Sequence, residues 1–169
     1  MATMKKFEVG KRYAMRSICD HDCVWMYEVV SRTAGTVVLR QVKRDGTLYD
    51  DEARFRISKK LTDMRKAETV KPTGSYSMAP MLGADNEVPA SIKEHRQFKE
   101  KYPDAVLLFR KADYYEAFYE DALTCNNTFG VELDDIWGVA HIKFEARQLD
   151  VYLPKLVRRG HRIAIVDDI

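Results

Sequence analysis

The first half of the chain alternates apolar and polar residues in short runs, which is the pattern of antiparallel β-strands. Runs rich in Val, Tyr and Phe cover residues 7–17, 24–32, 36–42 and 47–57. The turns between the last three runs contain Ala34-Gly35 and Arg44-Asp45-Gly46, which have the residue types of hairpin turns. Four or five short strands within about 60 residues predict a small antiparallel, β-barrel-like module over residues 1–71.

The second half alternates segments of helical period with fully apolar runs. This pattern predicts an α/β module over residues 92–169, with a mixed sheet and about three helices. The chain as a whole is therefore predicted to be α+β. The predicted helices cover residues 89–102, 113–128 and 148–159, the predicted buried strands cover 105–109 and 162–166, and a hairpin is expected over 131–144.

Residues 72–91 are predicted to connect these two modules. Pro72, Gly74, Pro80, Gly83 and Pro89 interrupt this stretch. Proline fixes its own φ angle and restricts the residue before it, so a semi-ordered connector is expected here rather than a helix.

The overall composition is that of a folded protein, with 46% hydrophobic and 32% charged residues and a net charge of +2. Basic residues outnumber acidic ones by 16 to 11 in residues 1–85, whereas acidic residues outnumber basic ones by 15 to 12 in residues 86–169. The surplus in the first half is suited to modest contact with a polyanion. Strand and turn positions there give candidate phosphate contacts at Arg40, Lys43, Arg44, Arg54 and Arg56.

The sequence contains no motif that indicates catalysis. It has no Gly-rich phosphate-binding loop and no G-x-S-x-G elbow, and its four histidines adjoin no nucleophile pattern. Cys19, His21 and Cys23 are types of zinc ligand, but a fourth ligand is missing from their neighbourhood. We therefore predict a protein that is not an enzyme and has no catalytic residue, metal or cofactor. An enzyme that holds a metal at the acidic pairs Asp134-Asp135 or Asp167-Asp168 is the weakest alternative.

The cellular setting is predicted from cysteine usage and hydropathy. Three cysteines, an odd number, are more typical of a reducing cytoplasm than of a disulfide framework. No stretch approaches the roughly 20 apolar residues of a membrane helix, so a cytoplasmic protein without a membrane partner is expected.

The most informative segment runs from Tyr102 to Ala122. Asp113 is predicted to cap a helix after the buried strand, with Glu116 completing a capping box. Tyr114 would then lie on the first turn, beside the strand end. An aromatic ring there can stack on a base, while a nearby carboxylate accepts a hydrogen bond from a base edge.

Residues 109–116 read FRKADYYE, and residues of this kind continue at Phe118, Asp121-Ala122, Gly138-Val139 and 152–165. This series resembles the N-terminal mismatch-recognition domain, domain I, of the MutS family over residues about 92–169. In that family an aromatic ring and a Glu two positions later contact the mispaired base, and the matching positions are Tyr114 and Glu116. Tyr114 replaces Phe, and Ala112 replaces a turn glycine.

The preferred hypothesis is a non-enzymatic DNA-binding protein that contacts distorted, mismatched or unpaired DNA. Residues 1–85 more loosely resemble small uncharacterised proteins of phages and mobile elements, so a bacterium, phage or mobile element is the expected source. The alternative is a protein-binding inhibitor of a host defence nuclease, or of its nucleic acid complex, as an anti-CRISPR or anti-restriction factor would be. The acidic balance of the second half favours that alternative.

Limited proteolysis tests the predicted division of the chain. The first cleavage is expected within residues 72–91, because exposed segments rich in Pro and Gly are cut before packed strands. Mass spectrometry of the first fragments locates the cut. A first cleavage within residues 105–109 would contradict the boundary, because that segment is predicted to be a central strand.

Overall fold

The computed structural model describes residues 3–167 and divides the chain into two units, Met1–Ala90 and Ser91–Ile169. Each unit has its own apolar core. Over the described residues the chain is α+β, with four α-helices and three sheets. None of the helices in this part of the chain has both the length and the apolar character needed to cross a membrane.

A four-stranded antiparallel meander forms most of the first unit. Its strands are β1 (Arg12–Arg16), β2 (Val24–Arg32), β3 (Thr36–Val42) and β4 (Leu48–Arg56), and they pair in chain order. The predicted hairpins are confirmed, but the described residues form an open sheet rather than a closed barrel. Most of β4 is exposed and polar, so this strand lacks the apolar face that closure onto β1 would bury.

The rest of the first unit packs against this sheet. Helix α1 (Lys59–Arg65) is followed by β5 (Thr69–Val70), which pairs with β6 (Leu82–Gly83). Within the stretch expected to be a connector, Leu82 and Ala84 are buried in the core and the Val88 amide donates to the Arg12 carbonyl at 2.8 Å. The longest exposed run in that stretch is residues 74–78. The largest fully buried side chains of this unit are Phe7, Tyr13, Met15, Leu39 and Leu82.

A five-stranded mixed sheet organises the second unit. The strand order is β11-β7-β8-β10-β9, in which β11 and β7 are parallel and the other neighbours are antiparallel. The elements along the chain are α2 (Ala90–Lys101), β7 (Ala105–Lys111), β8 (Tyr114–Phe118), α3 (Tyr119–Phe129), β9 (Asp134–Ile136), β10 (Val139–Glu145), α4 (Leu149–Arg158) and β11 (Arg162–Val166).

Both faces of this sheet are packed near its centre. On one face, Tyr115 and Ile142 form a core with Cys125 of α3 and Leu156 of α4. On the other face, the Phe109 ring lies 5.8 Å from that of Phe118, and rings from α2 lie 6.2 and 6.3 Å from Phe109. The central strands are covered on both sides, which explains the continuous apolar run of β7.

The prediction of a helix that begins at Asp113 is wrong for residues 113–118. Residues 114–118 form strand β8, and α3 begins only at Tyr119. Asp113 lies in the turn between β7 and β8, so Glu116 does not belong to a capping box. Backbone pairing on both sides, with β7 and β10, determines the conformation of this segment and overrides its helix-like aromatic spacing. The predicted end of that helix at Gly130 is confirmed.

A buried carboxylate joins three elements of the second unit. Asp121 of α3 accepts hydrogen bonds from His95 Nε2 at 2.8 Å, Lys99 Nζ at 2.7 Å and the Leu107 amide at 3.1 Å. Burial alone would raise the pKa of Asp121, but the hydrogen bonds from His95, Lys99 and Leu107 outweigh it and lower that pKa. Asp121 is therefore ionised in the folded protein and ties α2 and β7 to α3.

Replacing Asp121 tests this network. Asp121→Asn is expected to lower the free energy of unfolding by about 3 kcal/mol, because it removes the carboxylate 2.7 Å from the half-buried Lys99 ammonium and leaves the more distant Glu120 Oε1, at 3.9 Å, to balance that charge. Urea unfolding at neutral pH measures the change. The lowered pKa means that the wild type gains stability from Asp121 above the unfolded-state pKa and loses it as the pH falls through the folded-state pKa. A variant whose acid sensitivity equals that of the wild type would contradict this role.

Candidate nucleic-acid interface

A tight turn presents the start of β8. Lys111 pairs with Tyr114 across the β7–β8 hairpin, so Ala112 and Asp113 alone form the connection. Ala112 has φ 47°, in the left-handed region that glycine adopts more easily. The Ala146 amide donates to the Asp113 carbonyl at 2.8 Å and fixes the far side of the turn. This short connection fixes the position of Tyr114 at the start of β8.

Alternation along β8 separates core residues from candidate site residues. Tyr115 and Ala117 point into the core beneath α3 and α4. Tyr114 and Glu116 project from the opposite face and are both half-buried. The structure thus brings the two predicted contact residues together on one face of one strand, two positions apart.

Tyr114 is covered on one face of its ring by a cation. Lys143 Nζ lies 3.7 Å from the ring centroid, within the range of a cation–π contact. Lys143 is on β10, where Glu145 rather than Lys143 is the register partner of Tyr114. A base that stacks on Tyr114 would use the other face of the ring and would find a positive charge close by.

Glu116 is held by a histidine that the sequence did not single out. His141 Nε2 lies 3.2 Å from Glu116 Oε1, and the side chains are 6% and 14% exposed, respectively. The His141 ring also stacks on Phe118, with centroids 5.2 Å apart. Among the described residues the second carboxylate oxygen of Glu116 accepts no hydrogen bond, so it is available to an N–H group of a ligand.

The basic candidates of the first unit lie in different surroundings. Arg40 forms an ion pair with Glu52 of β4, which neutralises its charge. Lys43 Nζ lies 5.2 Å above the Tyr49 ring. The other three, Arg44, Arg54 and Arg56, are exposed. The role of all five as phosphate contacts stays a prediction.

The cysteines and Asp134-Asp135 do not form a recognisable metal centre in the described part of the chain, and Asp168 of the other acidic pair lies outside the described residues. No group of three or more His, Cys, Asp or Glu side chains within residues 3–167 is arranged to hold a metal ion. Cys19 is exposed, Cys23 is half-buried and Cys125 is buried, and none of them forms a disulfide. Burial, followed by the nearby Asp121 charge, raises the pKa of Cys125 to about 12, so its thiol is protonated at neutral pH.

Comparison with known proteins finds a family that the second unit matches. Residues 89–169 match the family model described as MutS domain I. This match confirms the resemblance found at residues about 92–169.

Individual relatives match the same part of the chain. The DNA mismatch repair protein MutS of Porphyromonas gingivalis is 43% identical over 83 residues, which are 46% of this chain and 9% of that protein. MutS of Phocaeicola vulgatus is 40% identical over 83 residues, or 46% of this chain and 10% of the relative. MutS of Thermosipho melanesiensis is 36% identical over 86 residues, which are 51% of this chain and 10% of that protein. The matched region spans about a tenth of each of these relatives.

The strained turn before Tyr114 gives a stability test. Ala112→Gly is expected to raise the free energy of unfolding by about 0.5–1 kcal/mol, because glycine adopts a positive φ without the Cβ penalty. This value is the net gain after subtracting the cost of the larger backbone entropy that glycine has in the unfolded state. Thermal and urea unfolding measure the gain. The matched control is Asp113→Gly, because Asp113 lacks a positive φ and gains no such relief. Equal effects of the two variants would argue against strain at Ala112.

Proposed function

We propose that the second unit contacts mismatched, bulged or unpaired bases in DNA, and that it does so without catalysis. The observation that carries the proposal is the placement of Tyr114 and Glu116 on one face of β8, within a unit that matches MutS domain I. The matched relatives are DNA mismatch repair proteins. Binding to DNA and three cysteines outside any disulfide both favour a cytoplasmic setting.

In this proposal Tyr114 supplies the stacking surface. A base in a regular duplex is stacked on both sides, so a ring gains access only where pairing or stacking is already weakened. The preference for a mismatch or bulge then follows from the lower cost of exposing the base. The tyrosine ring keeps the π-face of the phenylalanine that it replaces, and its hydroxyl adds a group that needs a polar partner.

Glu116 supplies the acceptor for a base edge. A carboxylate close to phosphates is repelled by them, so its presence at a DNA interface costs free energy unless neighbouring cations offset it. His141 donates to Glu116 when Nε2 carries the proton, and Lys143 is its register partner on β10. These two residues are expected to hold the Glu116 carboxylate in place and to offset part of its negative charge, while its second oxygen accepts a hydrogen bond from the base.

The nuclease-inhibitor alternative and the expected phage or mobile-element source receive no support from the matched relatives, which are bacterial repair proteins. The acidic balance of the second half is the sequence feature that favours an inhibitor. That alternative is retained as one outcome of the experiment below, since a protein inhibitor would show no preference among DNA structures.

Binding of the full chain to labelled DNA tests the proposal. The panel contains a matched duplex, the same duplex with one mismatch, one with a single-base bulge, and a single strand. Tyr114→Ala is expected to weaken binding to the mismatch and the bulge by about 5- to 150-fold, which is the value of one stacked base, and to leave matched-duplex binding unchanged. Fluorescence anisotropy at two salt concentrations measures each affinity.

Three control variants assign the effect. Tyr114→Phe keeps the ring and should keep the preference, whereas Tyr102→Ala removes an exposed tyrosine elsewhere in the same unit and should have no effect. Glu116→Gln keeps an acceptor oxygen for His141, so it tests the charge without leaving the histidine unpaired. A wild type that binds every DNA equally, or none, would refute the proposal.

A further inference from the structure

We infer that a groove in the first unit binds one nucleotide of a single-stranded nucleic acid through its phosphate and its base. This site lies outside the unit that carries Tyr114, and its argument does not rest on the function proposed above. The groove has a volume of about 430 Å³ and lies between the end of β4, the first turn of α1 and the loop that follows β5. That volume is within the range of roughly 300–1,000 Å³ typical of sites for small organic ligands.

The charge of the groove favours a phosphate. Three of its lining residues, Arg56, Lys60 and Lys71, are basic, and no carboxylate lines it. None of these three forms an ion pair within the described residues. Three unpaired cations around one concavity repel one another, and an anion bound between them removes that repulsion.

Two serine hydroxyls add hydrogen-bonding capacity. Ser58 Oγ accepts a hydrogen bond from the Leu61 amide at 3.4 Å, which leaves its O–H free to donate. Ser75 lies on the exposed loop at the opposite side of the groove. Hydroxyl donors next to cations are a common way of fixing a phosphate oxygen in nucleic-acid complexes.

The apolar part of the lining favours a base over a bare phosphate ion. Phe55 packs against the core of the unit. Phe55 and Leu61 both line the groove. An aromatic ring beside basic residues is the combination that single-strand-binding proteins use, because each base has a π-face and each phosphate a charge. A paired base inside a duplex could not enter such a groove, so a single strand is the ligand that fits.

The test compares two triple variants of the full chain that remove the same charge. Arg56→Ala/Lys60→Ala/Lys71→Ala empties the groove of cations, whereas Lys5→Ala/Lys6→Ala/Lys66→Ala removes three exposed cations of the same unit that neither line the groove nor belong to the candidate phosphate contacts. The ligand is a fluorescein-labelled oligothymidylate, and anisotropy is read over a salt series. The groove variant is expected to lose about tenfold or more in affinity and to flatten the slope of log K against log salt by about 2, for three lost contacts at about 0.7 each.

The control triple should leave both the affinity and the slope close to the wild-type values. Lys60→Glu alone, at an exposed position where folding is not at risk, should weaken binding in the same direction. Phe55→Leu should weaken binding by about fivefold or more through lost stacking. Competition with thymidine monophosphate distinguishes a strand from a free nucleotide: weak competition supports the strand, and competition as strong as that of the oligomer would overturn it.

The mismatch panel keeps this inference separate from the proposed function. The groove triple should lower single-strand affinity while leaving the ratio of mismatch to matched-duplex affinity unchanged, whereas Tyr114→Ala should abolish that ratio. Equal losses in the two triple variants would show a general charge effect and overturn the groove. No binding of the oligothymidylate by the wild type would also overturn it.

Discussion

The ionised Asp121 is the constraint on which the second unit depends. Strand β8 pairs with β7 only where its residues 114–116 face residues 109–111, whereas it pairs with β10 along its whole length. The Leu107 amide of β7 therefore lacks a partner from β8, and Asp121 accepts it instead. His95 and Lys99 of α2 complete the shell of the carboxylate. A buried charge is tolerated only when it is satisfied in this way, so one side chain fixes the relative positions of α2, β7 and α3.

The candidate interface depends on the pairing of β8 with β10. Pairing with β10 places His141 beside Glu116 and Lys143 beside Tyr114. Each residue proposed to contact DNA thus has a partner on the neighbouring strand, and those partners limit the rotamers that Tyr114 and Glu116 can adopt. Such preorganisation lowers the entropy cost of binding a base. Lys143 also makes the local charge less negative, which matters in a half of the chain whose acidic residues outnumber its basic ones.

Much of this fold could be predicted from the sequence, and the errors have a common cause. The apolar run at residues 105–109 and the left-handed Gly130 are local signals, and both were interpreted correctly. Residues 114–118 have aromatic spacing that suits a helix or a strand, and only pairing with β10 decides between them. His141 was missed for the same reason, because it reaches Glu116 from 25 residues away. The first sheet likewise stays open because most of β4 is exposed, and the alternation of residues along β4 does not reveal that exposure.

The two proposed sites read different properties of nucleic acid. Tyr114 and Glu116 address a base whose stacking has already been weakened, so their contribution depends on DNA structure and little on salt. The groove bounded by Arg56, Lys60 and Lys71 binds the phosphate of an unpaired strand in this proposal. Its contribution to affinity therefore falls steeply as the salt concentration rises, because the counterions released on binding then gain less entropy. Selectivity for distorted DNA is therefore assigned to the first site, and salt-dependent affinity for single strands to the second.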